Sequence, residues 1–357
     1  MTDTVLPGFL DAHVHLALVD PVVLPEGGIA RVLDLGGWPP HPDAAPSGTS
    51  DAALGASASA PVPVESDPRN GNSRPERSLS TATTTGTTAT TAAATTASAI
   101  EAGLEVTFAG QFLTPPGGYP GKQAWAPAGS VREVTTVEDA AAAVDEQCRA
   151  GASVIKVMLN SDAGPVFPPE VLHAIVTRAH ECDTWVVAHA EGVGQALRAF
   201  AAGADLLAHT PFSERIVDEL IDAMAGRMTW ISTLDIHGWG DYDDDFARAS
   251  DNLRRFHAHG GRVLYGTDLG NGPLPLGVNR REIDALLAAG LSPDEVLGAL
   301  TARAPTRPRT SSRLPAAGRI GSRVTLISGE APSDPVGFAD WLCTARAVPR
   351  AEIEERE

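Results

Sequence analysis

The chain has 357 residues, 43 % of them apolar and 20 % charged, enough to bury a large core in one large domain or two ordinary ones. Its 27 basic residues against 45 acidic ones leave a net charge of −18, which argues against nucleic-acid and anionic-membrane partners, because phosphate neutralisation needs lysine and arginine. Three widely spaced cysteines (Cys148, Cys182, Cys343) make no disulfide framework, no apolar run is long enough for a membrane span, and the N-terminus lacks the regions of a signal peptide, so a cytoplasmic protein is expected.

In chain order, the first two apolar runs are residues 6–13 and 30–35, and both end in polar residues. Residues 39–98 then break the pattern. Their first part is rich in Pro, Ala, Ser and Gly, and 81–97 contain only Thr, Ala and Gly. This composition predicts a disordered insertion where a second barrel helix belongs, or the product of a local reading-frame error. From residue 104 onward strands alternate with helices. Strands are predicted at 104–109, 153–159, 184–189, 204–209, 228–233 and 262–268, and helices at 135–150, 168–181, 192–202, 213–225, 243–259, 282–289 and 293–302. Eight strands alternating with helices predict an α/β fold, a (β/α)8 TIM-type barrel, with an open doubly wound sheet as the competitor. The barrel is assigned to 1–302, interrupted by 39–98, and a C-terminal appendage to 303–357. Residues 303–313 look as irregular as the insertion.

Chemistry is concentrated at strand ends. His13 and His15 close the first strand; alternate residues face one side, so two imidazoles can approach one metal ion. Alone, such a pair is as readily part of an ordinary core. Lysine is rare here, with only Lys122 and Lys156, yet Lys156 sits inside the apolar run 153–159.

The first-strand sequence Pro7-Gly-Phe-Leu-Asp-Ala-His-Val-His15 resembles the signature of the amidohydrolase superfamily, metal-dependent hydrolases built on (β/α)8 barrels. Later segments are similar to that family's motifs in order: Gly151 to Lys156, Val187-Ala-His189, Ala208-His209-Thr, and Tyr265-Gly-Thr-Asp268. Imidazolonepropionase-like and prolidase-like members look closest. The resemblance implies one or two divalent metals, zinc foremost, with manganese, iron and nickel as alternatives. It implies that His13, His15 and Asp268 hold one ion, that His189 and His209 hold the other, and that Lys156, carbamylated by carbon dioxide, bridges them. Asp268 would move the proton between an attacking metal-activated hydroxide and the leaving group. Carbamylation needs a neutral amine, and burial lowers a lysine pKa, so a lysine on an apolar strand suits that role.

Loops supply candidate substrate contacts at Tyr119, His237 and Trp239. Tyr119 stands where prolidase-like relatives carry a histidine. His257 and His259 also alternate, but on a helix, where residues two apart diverge by about 200°. His173 and His180 read as structural. Relatives often carry a small β-sandwich beside the barrel; with only six residues before Pro7, its N-terminal half is expected to be missing and the appendage reduced. The expected activity is hydrolysis of an amide, cyclic amide or related C–N or C–O bond of a small molecule. The alternatives are a metal-dependent decarboxylase or lyase on the same barrel, and a catalytically inactive binding protein. Homo-oligomerisation is left open.

Overall fold

The computed structural model describes residues 3–36, 99, 102–309 and 322–355. The whole 39–98 insertion therefore lies outside the described residues, as do 310–313. The strands are β1 (Asp3–Pro7), β2 (Phe9–Val14), β3 (Ile29–Asp34), β4 (Glu105–Phe108), β5 (Phe112–Thr114), β6 (Val131–Glu133), β7 (Val154–Asn160), β8 (Trp185–Glu191), β9 (Leu206–Leu207), β10 (Thr229–Ile231), β11 (Arg262–Leu264), β12 (Arg323–Ser328) and β13 (Arg346–Pro349). The helices are α1 (Val137–Arg149), α2 (Pro169–Glu181), α3 (Gln195–Ala202), α4 (Asp218–Arg227), α5 (Asp244–Ala258), α6 (Arg280–Ala288), α7 (Pro293–Leu300), α8 (Pro335–Leu342) and α9 (Arg350–Glu354).

Seven strands form a parallel sheet in the order β11-β10-β9-β8-β7-β5-β6, and β2-β3-β4 form a second parallel sheet. Hydrogen bonds join the two sheets at both seams. On one side Ala12 N–H donates to Tyr265 O (2.9 Å) and Leu269 N–H to His13 O (3.1 Å); on the other, Ser153 N–H donates to Phe108 O (2.8 Å). The strand expected at 104–109 runs on past a break into β5. Gly110 makes the break: it has φ +76°, and a Cβ there would lie 2.2 Å from Gln147 Oε1.

Helix starts follow local chemistry. Thr136 caps α1 through Asp139 N–H, Asp243 caps α5, Asn279 caps α6, and Ser292 with Glu295 forms a capping box on α7. Helix α4 begins later than its pattern predicts. The preceding backbone is tied to Asn252 instead, which accepts from Ile216 N–H (3.0 Å) and donates to Pro211 O and Glu214 O (both 2.8 Å).

Two expectations need correction. Residues 6–13 are not one strand: Gly8 separates β1 from β2, and a Cβ there would lie 2.6 Å from Ala30 Cβ. The residues before Pro7 are not idle either. Strand β1 pairs antiparallel with β12, which pairs with β13, giving a separate three-stranded sheet. Residues 303–309 are also well anchored: Arg309 pairs with buried Asp205 at 2.9 Å, and Thr306 O accepts from Trp185 Nε1. Among the described residues, no helix is long and apolar enough to cross a membrane.

Thr325 clips the small sheet to the strand that carries the histidines. Its buried hydroxyl accepts from Phe9 N–H (2.9 Å) and donates to Gly28 O (3.2 Å). Thr325→Val leaves both backbone groups unpaired and is expected to cost about 1–3 kcal/mol. Equilibrium urea unfolding measures this, and a loss under about 0.5 kcal/mol would contradict the clip.

Candidate metal centre

Strands β7 and β8 pair in register from Val154↔Trp185 to Asn160↔Glu191, so Lys156 and Met158 share a face with His189 and Glu191. Every residue of β7 is buried, and Lys156 is only 1 % exposed. His209 follows β9, His13 lies in β2, and His15 and Asp268 lie just beyond their strands. The six side chains His13, His15, Lys156, His189, His209 and Asp268 line one small pocket, walled by Phe112, Tyr119, Trp125, Met158 and Asn271. Gly266 lets the last strand approach, because a Cβ there would meet Ile231 at 2.3 Å and His13 Cβ at 3.2 Å.

His13, His15 and Asp268 bring their ligand atoms within 4.8 Å of one another, a group able to hold a metal ion. Asp268 Oδ1 lies 3.0 Å from His13 Nε2 and 3.1 Å from His15 Nε2. The opposite ring nitrogens fix the tautomers. His13 Nδ1 lies 2.8 Å from Ala208 O and His15 Nδ1 3.1 Å from Gly36 O. A carbonyl only accepts, so both Nδ1 atoms carry a proton; the neutral His13 ring turns the Nε2 lone pair toward the carboxylate, whereas His15 Nε2 donates to Asp268 Oδ1 when that ring is charged. The second pair is joined by a hydrogen bond. His189 Nε2 donates to Glu191 Oε2 (3.1 Å), which leaves Nδ1 as an acceptor 3.1 Å from His209 Nε2, while His209 Nδ1 meets Thr233 Oγ1 at 3.0 Å. Lys156 Nζ is buried with no hydrogen-bond partner.

Burial sets the charges. It pushes His13 down to about 4 and His209 well below the usual imidazole range. For His15, burial also favours the neutral ring, but the hydrogen bond to Asp268 outweighs it and the pKa rises. Burial lowers Lys156 to about 7. Burial alone would raise Asp268, yet His13 beside it and the contacts from both histidines hold it well below the carboxylate range. Asp268 has φ +60° and Thr233 has φ +45°, left-handed values that side chains adopt at a cost, so the fold spends strain to aim both.

Tyr119 stacks on the His189 ring (centroids 5.2 Å apart), with Trp125 beside it at 6.0 Å. His237 and Trp239 do not line this pocket: His237 packs on Phe212, and Trp239 lies against Gly272. His257 and His259 face apart, toward Glu295 and Asp222, and His180 pairs with Asp205. Sequence reasoning passed over Asn271, whose Nδ2 donates to Asp268 Oδ2 (2.9 Å), as well as Thr233, Glu191 and Trp125. It also left Asp11 without a role. Its buried carboxylate, raised by burial to about 7, accepts from Thr267 and from His13 N–H. Asp11 stood within the first-strand signature and Glu191 two residues past His189; Thr233, Trp125 and Asn271 carried no local signal.

Residues 4–305 match the model of the amidohydrolase family. No curated protein matches the chain. Among solved structures, it is similar to a Xaa-Pro dipeptidase with bound methionine (19 % identity, TM-score 0.61, covering 94 % of this chain and 84 % of the other). It is similar to ochratoxinase of A. niger (18 %, 0.62, 94 % and 79 %) and to a putative prolidase of Bifidobacterium longum (20 %, 0.61, 99 % and 84 %).

If Thr233 fixes the orientation of a metal-binding His209, Thr233→Ala is expected to weaken metal affinity about 10- to 100-fold while Thr233→Ser keeps most of it. Competition against a chelating dye measures both; equal affinity in Thr233→Ala and wild type would refute the assignment.

Proposed function

This chain belongs to the amidohydrolase family, and on that premise we propose that it is a metal-dependent hydrolase that cleaves an amide, cyclic amide or related C–N or C–O bond of a small molecule on a closed (β/α)8 barrel. The observation that carries this reading is the convergence of nitrogen and oxygen ligand atoms in a buried pocket. His13 Nε2 and His15 Nε2 converge on Asp268 Oδ1, and His189 Nδ1 faces His209 Nε2. Four imidazoles and a carboxylate gathered so closely form a nitrogen and oxygen donor set that suits zinc, manganese, iron or nickel. The donor set therefore fits two divalent ions, His13, His15 and Asp268 holding one and His189 and His209 the other.

When bound, such ions lower the pKa of water from 15.7 to about 7 and polarise the scissile carbonyl. Asp268 accepts the proton of the attacking water and returns it to the leaving nitrogen or oxygen, while Asn271 holds its second oxygen in place. A carbamylated Lys156 would bridge the two ions. Near pH 7 a large share of its amine is neutral, and neutral amine plus carbon dioxide gives a carbamate and one proton. Among the described residues no hydrogen-bond partner holds Nζ as an ammonium. Tyr119 and Trp125 form an aromatic wall against which a substrate group packs.

Metal analysis of the purified protein, combined with a panel of amides, lactams and esters, tests the proposal. Chelation is expected to abolish turnover and zinc or manganese to restore it; His13→Ala and Asp268→Asn are each expected to lower kcat/KM by about 10²- to 10⁴-fold. Failure to bind metal on reconstitution would overturn the reading.

The lysine gives a separate pH signature. Reactivation of metal-free protein by metal and bicarbonate is expected to speed up about tenfold per pH unit below pH 7 and to level off above it, following the neutral amine. Lys156→Arg is expected to lose both the bicarbonate dependence and the added mass of one carbon dioxide. A flat profile with full activity would remove the carbamate.

A further inference from the structure

On the outside of the parallel sheet, away from the pocket, two of the three cysteines meet. Cys148 lies in the last turn of α1 and Cys182 is the residue at which α2 ends. One guanidinium draws their main chains together: Arg307 donates to Cys148 O (3.1 Å) and to Cys182 O (3.0 Å). The side chains share a polar nook. Thr184 Oγ1 donates to Cys182 O (3.1 Å), so Cys148 Sγ, 3.5 Å away, donates to Thr184 Oγ1. Cys182 Sγ donates to Asp145 Oδ1 at 3.6 Å, and Thr184 Oγ1 links the two residues by meeting both Cys148 Sγ and Cys182 O. Both residues are only partly buried, so a small reagent has access. No third donor completes a metal group here among the described residues.

We propose that Cys148 and Cys182 form a dithiol modification site that closes to an intramolecular disulfide when a small-molecule disulfide is in excess. The sulfur of Cys148, as thiolate, attacks one sulfur of oxidised glutathione, giving a mixed disulfide and releasing one glutathione thiol. Cys182, on losing its proton, attacks the Cys148 sulfur and releases the second glutathione. Two protein thiols are oxidised and one glutathione disulfide is reduced, so two electrons and two protons balance. Burial pushes the Cys182 thiol up to about 11, so the closing step is the slower one and quickens with pH. The bond would staple the ends of α1 and α2, while Cys343, exposed on α8, has no such neighbour.

The test is to hold the full-length protein in glutathione redox buffers from fully reduced to fully oxidised, then digest it without reduction for mass spectrometry. The expected product joins the Cys148 and Cys182 peptides and leaves Cys343 out of any protein disulfide. The melting midpoint is expected to rise by about 3–10 °C on oxidation. Cys148→Ser and Cys182→Ser should each fold with the melting point of the reduced protein and show no such rise. Three free thiols in fully oxidised buffer, stable mixed disulfides on both residues, or a link to Cys343 would overturn the proposal.

Discussion

Electrostatic need organises this molecule. The centre of the parallel sheet gathers four imidazoles, an amine and a carboxylate where water is scarce. Burial keeps His13, His209 and Lys156 from charging easily, while Asp268 keeps its negative charge. The main chain then removes the remaining freedom. Carbonyls of Ala208 and Gly36 take the outer protons of His13 and His15, so the inner nitrogens are the ones aimed at Asp268. A cation among them would resolve that arrangement, and Thr233, Glu191, Asn271 and Asp11 aim the donors.

Much of this was legible in the one-dimensional pattern. Strand and helix periods placed the parallel strands other than β5 and β6 and the helices from α1 to α7, because each packs one apolar face against its neighbours. His13, His15, Lys156, His189, His209 and Asp268 stood out because each is polar at the end of, or inside, an apolar run. A buried lysine is a chemical anomaly in a chain whose only other lysine is Lys122.

What escaped the pattern did so for physical reasons. Strand β1 is five residues long, and its partner lies at the far end of the chain, so nothing local marks it. Strands β5 and β6 have three residues each, too few to show alternation. Asn252 overrides the helical pattern before α4 by taking three backbone groups for itself. Thr233 and Asp268 reach their neighbours through left-handed backbone angles, which composition does not encode. His237 and Trp239 were singled out from loop position alone. Loops at one rim point several ways, and these two side chains pack against Phe212 and Gly272.

The pairing of β1 with β12 bears on how the chain assembles. Thr4 gives its hydroxyl proton to Gly329 O, a partner 325 positions away, and Phe9 is held by Thr325 in the same way. On the ribosome, β1 emerges far ahead of β12, the strand that covers its edge. Contacts of such long separation slow folding and leave apolar edges open to other nascent chains. The strand that carries His13 is thus made long before Thr325, the residue that secures its first amide, so part of the candidate metal centre waits on a late contact.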